Sequence, residues 1–159
     1  ILFALLAVNS KNKWFSSLMV IFWLGFLPNA PYLITDFIHL DVVGPDSLLW
    51  YDGMMIFMYS LAGVSAWVLS LHMVMKKYMW KSWVVWFIAL LTGFGVYLGR
   101  YIRFNTWDIL TNIEDILVTI GEVILMPHLH SPVLSMTCVF AIALVALYKA
   151  FGYITYHED

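Results

Sequence analysis

Charge is what this sequence has least of. Only 8 of its 159 residues are lysine or arginine and 10 are aspartate or glutamate, while 63% are hydrophobic, against roughly half in a soluble domain. An ordinary soluble fold is excluded. Cysteine is nearly missing too: Cys138 stands alone in an apolar run, so there is no intramolecular disulfide and a cysteine-based metal site is not expected. The glycines of GFGVYLG lack the strand-turn-helix setting of a nucleotide loop, and Ser60, Ser65 and Ser70 have no histidine at their depth to activate them. No nucleic-acid partner is expected. The chain has no leading methionine or basic leader, so it is expected to open partway through a first span and to carry no cleaved signal peptide. With no repeat, low-complexity tract or linker, residues 1–159 form one expected transmembrane helical domain.

Long uncharged runs are what the sequence does have. Gly53 to Met75 contains only His72 as an ionisable group and Ser82 to Gly99 contains none; a span needs about 20 apolar residues. The pattern predicts an all-α polytopic membrane protein with about five transmembrane helices. The first is a truncated Ile1–Val8, the second starts at Trp14 and breaks at Pro28, and the others are Trp50–Met75, Ser82–Gly99 and Val133–Tyr148. Ile113 to Met126 places Ile113, Ile116, Leu117, Ile120 and Ile124 at helical spacing and predicts a short amphipathic helix lying in the interface. Gly95 and Gly99, four apart, suit a close helix-packing face.

Laid on this alternation, Lys11, Lys13, Lys76, Lys77, Lys81 and Lys149 fall on one side, which the positive-inside rule makes cytoplasmic. Arg100 and Arg103 fall outside, with Asp36, Asp41, Asp46, Asp52, Asp108, Glu114, Asp115 and Glu122. The outer face thus holds the ionisable chemistry, in two concentrations.

The first is FLPNAPYLITDFIHLD. If the chain stays helical after Pro28, Asn29, Tyr32, Asp36 and His39 follow at steps of three, four and three and make one polar stripe. Pro28 and Pro31 lack an N–H, so a carbonyl below them needs another partner, and Asn29 is a candidate. Ionisable residues near a bilayer core are costly, which makes Asp36 and His39, with Asp52, candidates for general base or catalytic groups. The second is RYIRFNTWDILTNIED. Arg100 and Arg103, three apart, are placed to clamp carboxylate or phosphate; the bland alternative is that each pairs with an outer carboxylate and pins helices together. Asn105 with Asp108 and Asn112 with Asp115 resemble helix caps, a role that suits Asn112, Glu114 and Asp115; Asp108, beside Trp107, is also a binding candidate. His128 and His130 are expected to sit at the interface, and with Asp36 and His39 they would supply enough ligands for a divalent metal, though their spacing is no known signature.

Three stretches, FLPNAPYLITDFIHL, WYD from Trp50 to Asp52, and GFGVYLGRYIRFNTWDIL, resemble a family of bacterial multi-pass membrane proteins known only as a domain of unknown function. The resemblance covers Trp23 to Leu110. It implies an inner-membrane location and a longer N-terminus, and carries over no activity or catalytic residue.

The expectation is an outward-facing polar site that binds or processes an anionic lipid or envelope intermediate through Asn29, Tyr32, Arg100, Arg103, Asn105 and Asp108. If it is an enzyme, a hydrolase or transferase fits best. The alternatives are an oligomeric transporter or channel, and an accessory subunit of a membrane complex. The expected partners are membrane lipids, further copies of the chain or another membrane protein.

Overall fold

Prolines, one asparagine cap and two glycines account for most of the path of the backbone. The computed structural model describes residues 1–42, 49–104, 108–126 and 132–156, and among these all regular structure is helical. They pack as two compact units, Ile1–Trp80 and Lys81–Asp159.

In the first unit, α1 (Leu2–Asn9) leads through a short polar link to α2 (Lys13–Phe26). Asn12 starts α2: its side-chain oxygen accepts from the N–H groups of Trp14, at 3.0 Å, and Phe15, at 3.4 Å. The helix yields at Pro28 and Pro31. Pro31 has no N–H for the Leu27 carbonyl, and the Ala30 N–H takes it instead, at 3.2 Å. One turn follows as α3 (Asn29–Tyr32), and the chain then tightens into a 3-10 segment, Leu33–Val42.

α4 (Leu49–Tyr78) runs back along this broken helix for 30 residues, about 45 Å. Its Gly53 lies beside Leu40 and its Gly63 beside Ala30, where a β-carbon would collide with the Ala30 carbonyl oxygen. Glycine is what lets the two backbones approach there. Trp23, Leu27, Trp67, Leu71 and Val74 form the buried centre of this unit. α4 ends in a Schellman turn: the Trp80 N–H donates to the Met75 carbonyl at 3.2 Å, and Met79 takes the left-handed position at φ 51°.

In the second unit, α5 (Trp83–Tyr97) continues into a wider π-helical turn, Leu98–Ile102, followed by α6 (Asp108–Thr111), α7 (Ile113–Leu125) and α8 (Pro132–Tyr156). α5 and α8 pack closely at Gly93, where a β-carbon would lie 2.7 Å from the Thr137 carbonyl oxygen. Gly95 and Gly99 are half-buried. Across the same helix pair, Ile88, Ala89, Val96, Ala141, Leu144 and Val145 are buried.

Four stretches, Lys13–Leu40, Leu49–Tyr78, Trp83–Ile102 and Pro132–Gly152, are long and apolar enough to cross a membrane. α1, expected as the end of a fifth span, has eight residues. On α8, Leu134, Val139 and Ile142 are each at least 60% exposed. Exposed apolar side chains on a helix of this length suit lipid as the surrounding solvent.

Candidate functional site

The polar residues after Pro28 do not form the single stripe expected of an α-helix. A 3-10 helix has three residues per turn, so side chains three apart eclipse and those four apart do not. Leu33, Asp36 and His39 therefore share one row, while the step of four from Tyr32 to Asp36 turns the chain to a different face. Upstream, Pro31 leaves the Leu27 carbonyl to the Ala30 N–H over three residues, but the Tyr32 N–H bonds the Pro28 carbonyl at 3.2 Å over four, so the tightening begins only after Tyr32. Thr35 belongs with Tyr32 instead, its hydroxyl donating to the Tyr32 carbonyl at 2.7 Å. Asn29 and His39 are exposed, and Tyr32 and Asp36 half-buried. Asp36 and His39 thus stay together, and Asn29 and Tyr32 leave their row.

Asp52 is half-buried in the first turn of α4, where the helix dipole favours a carboxylate. Further along α4, Ser70 Oγ donates back to the Trp67 carbonyl at 3.1 Å, a local use of the hydroxyl that gives it no nucleophilic role. Ser60 differs. Its hydroxyl is buried one turn before Gly63 and has no hydrogen-bond partner among the described residues.

The second concentration is built by the end of α5. Leu98 and Ile102, either side of Arg100, pack with Phe94 and Met136 against a buried cluster of Tyr97, Val123 and Val133. This packing holds the π turn. The Phe104 N–H reaches the Leu98 carbonyl at 3.3 Å, and Arg103 closes the turn in the left-handed region, at φ 65° and ψ 29°. A non-glycine residue there costs about 1–2 kcal/mol. Tyr101 stacks on Tyr97, with ring centroids 5.4 Å apart. Arg100 is half-buried and Arg103 exposed, so the neighbour rule for residues three apart on an α-helix does not carry through this wider turn.

Asp108 is half-buried at the start of α6. Asn112 occupies the residue before α7 as expected, yet its side chain makes no capping bond; its backbone N–H donates to the Asp108 carbonyl at 2.7 Å. Glu114 and Asp115 lie in the first turn of α7. α7 has the expected amphipathic helix's position. It buries Val123 and leaves Ile113 and Leu117 exposed.

Asn105, Trp107, His128, His130 and Asp46 lie outside the described residues, as do Glu158 and Asp159 of the tail. Of the expected metal set only Asp36 and His39 lie among the described residues, and among the described residues no three histidine, cysteine, aspartate or glutamate side chains come together to hold a metal ion. Sequence reasoning missed the π turn, the strained backbone of Arg103 and the unpartnered Ser60. The first two depend on contacts with α7 and α8, for which no local signal exists.

Long apolar helices, lipid-suited outer faces and polar groups gathered near helix ends define the class: an all-α polytopic membrane protein. The chain belongs to the family described as "Protein of unknown function (DUF1361)", whose pattern it matches over residues 1–147, well beyond the stretch that carries the sequence resemblance. No curated protein and no solved structure matches it.

Proposed function

We propose that this membrane protein uses the π-turned end of α5 to hold the anionic group of a lipid or cell-envelope intermediate, with Arg100 as the principal ligand and Arg103 at the rim. The observation that carries this reading is the pairing of two backbone irregularities with two arginines: a π turn around Arg100 and a left-handed Arg103 immediately after it. π turns occur frequently at functional sites, and strain at a non-glycine residue persists only where the surroundings enforce it. A guanidinium at the end of an uncharged span can offer two parallel donors to phosphate or carboxylate. Asp108 is proposed as a further polar contact within the same unit.

By the positive-inside rule this end faces the outer side of a bacterial inner membrane. Asp36 and His39, with Asp52, are proposed separately, within their own unit, as the source of a general base or of metal ligands. The chemistry suited to such groups is hydrolysis or group transfer.

The test is photo-crosslinking of the protein in liposomes with a photoactivatable phosphatidylglycerol, mapped by peptide. The reading expects label on residues 98–104, absent with the phosphatidylcholine analogue and lost in Arg100→Gln. Equal labelling by both headgroups, or in Arg100→Gln, overturns it.

A further inference from the structure

The first unit carries a cleft at its lysine-bearing end. This open cleft of about 780 Å³ lies where the α1–α2 link, the start of α2 and the end of α4 meet, and Lys11, Lys13 and Lys77 all line it. Volumes of this order are typical of small-ligand sites. Its wall is fixed. Ser16 Oγ lies 2.6 Å from both the Ala7 carbonyl oxygen and the Tyr78 hydroxyl. The carbonyl can only accept, so Ser16 donates to it and receives the Tyr78 proton. One hydroxyl chain thereby ties α1, α2 and α4 together behind the lysines.

The link is held as well. The Asn12 N–H donates to Ser10 Oγ at 3.1 Å, and Ser10 Oγ donates to the Asn12 carbonyl at 3.2 Å. Because the Asn12 side chain already occupies the first amides of α2, the helix terminus itself is not the anion site. The lysines are.

Three exposed lysines lining one cleft repel one another and favour an anion between them. Residues 1–35 contain no aspartate or glutamate, and the acidic residues of this unit are Asp36, Asp41, Asp46 and Asp52. Along α4, Asp52 is separated from Lys77 by roughly 37 Å of helix, several times the screening length of about 8 Å at physiological salt. Trp14 is 87% exposed beside the cleft, and Tyr78 stacks on Trp80 at 5.5 Å between centroids. Tryptophan and tyrosine concentrate at headgroup depth. Basic pockets between membrane helices on the cytoplasmic side bind lipid headgroups.

We propose that this cleft binds a phosphate group, and that in the membrane the phosphate is that of an anionic phospholipid in the lysine-side leaflet. The site is independent of the Arg100 end and takes its own readout, crosslinks on residues 8–17 and 77–78.

The experiment uses the same photoactivatable phosphatidylglycerol with the full chain in liposomes. Lys11→Gln/Lys13→Gln/Lys77→Gln is compared with Lys76→Gln/Lys81→Gln/Lys149→Gln, which removes the same charge from positions that do not line the cleft. Ser17→Trp, which fills the cleft and keeps every lysine, guards against an effect of altered insertion. Label at 8–17 and 77–78 is expected to fall at least fivefold in the cleft triple variant, since each lysine near the surface contributes about that factor. It is expected to fall in Ser17→Trp and to persist in the control triple and in Arg100→Gln. Competition by millimolar inorganic phosphate would assign the site to soluble phosphate as the source; its failure would assign it to the lipid. Equal loss in both triple variants, or undiminished label in Ser17→Trp, overturns the proposal.

Discussion

The Tyr78 hydroxyl donates to Ser16 Oγ across 62 residues of chain, at 2.6 Å, and Ser16 passes its own proton on to the Ala7 carbonyl. In hydrocarbon or at its edge, such a chain replaces the water that would otherwise satisfy these groups.

Removing either hydroxyl therefore has unequal effects. Tyr78→Phe loses one bond and is expected to cost about 1 kcal/mol, whereas Ser16→Ala breaks both and is expected to cost about 2 kcal/mol. The double variant should cost less than the sum. Thermal unfolding of the four proteins in one detergent measures the cycle; strict additivity would show the two side chains to be uncoupled.

Ser60→Ala should behave in the opposite way. The buried hydroxyl has no partner among the described residues, so its removal is expected to be neutral or to stabilise by about 1 kcal/mol. A clear loss of stability in the same assay would reveal a bond that Ser60 makes in the membrane.

The close helix approaches set a stricter limit. Gly63→Ala would drive a β-carbon into the Ala30 carbonyl and Gly93→Ala into that of Thr137. Each is expected to cost about 1–3 kcal/mol or more, because backbone must move on both sides. Gly121→Ala and Gly152→Ala meet nothing within 4 Å and serve as controls. Folded yield after detergent extraction separates the two pairs, and equal yields would contradict the packing.

Two left-handed residues make a matched comparison. Met79→Gly and Arg103→Gly both relieve backbone strain at positive φ, so both are expected to raise the melting temperature, by an amount corresponding to at most about 1 kcal/mol. Only Arg103→Gly should also weaken anion binding. If Arg103→Gly lowers stability instead, the arginine is structural.

The spans were legible in the sequence because an uncharged run of sufficient length has no other use. Ile113–Leu125 was legible because its apolar residues recur at helical spacing, and the break at Pro28 because proline removes a donor. What followed the break was not. A spacing of three, four and three fits an α-helix, but the chain past Tyr32 is a 3-10 segment, which keeps Asp36 with His39 and parts them from Tyr32, and nothing in the residue spacing announces that change. The π turn was equally hidden: it depends on Leu98 and Ile102 packing against Val123 and Val133, residues more than twenty positions away in the sequence. The arginines were found from their charge alone, and the π turn at Arg100 and the left-handed backbone of Arg103 came from the fold.

The most direct test of anion binding at Arg100 is the phospholipid retained after exhaustive detergent exchange, identified and quantified by mass spectrometry. In the Lys11→Gln/Lys13→Gln/Lys77→Gln background, which removes lipid held at the lysine cleft, the protein with both arginines wild type, Arg100→Lys and Arg100→Gln/Arg103→Gln would be compared, each first shown to elute as a single folded species. The protein with both arginines is expected to retain anionic lipid that the double arginine variant loses by about tenfold, with Arg100→Lys between them, because lysine keeps the charge and loses the bidentate fork. Equal retention in all three proteins, or a double variant that no longer accumulates as folded protein, would contradict the account and leave the arginines as helix pins.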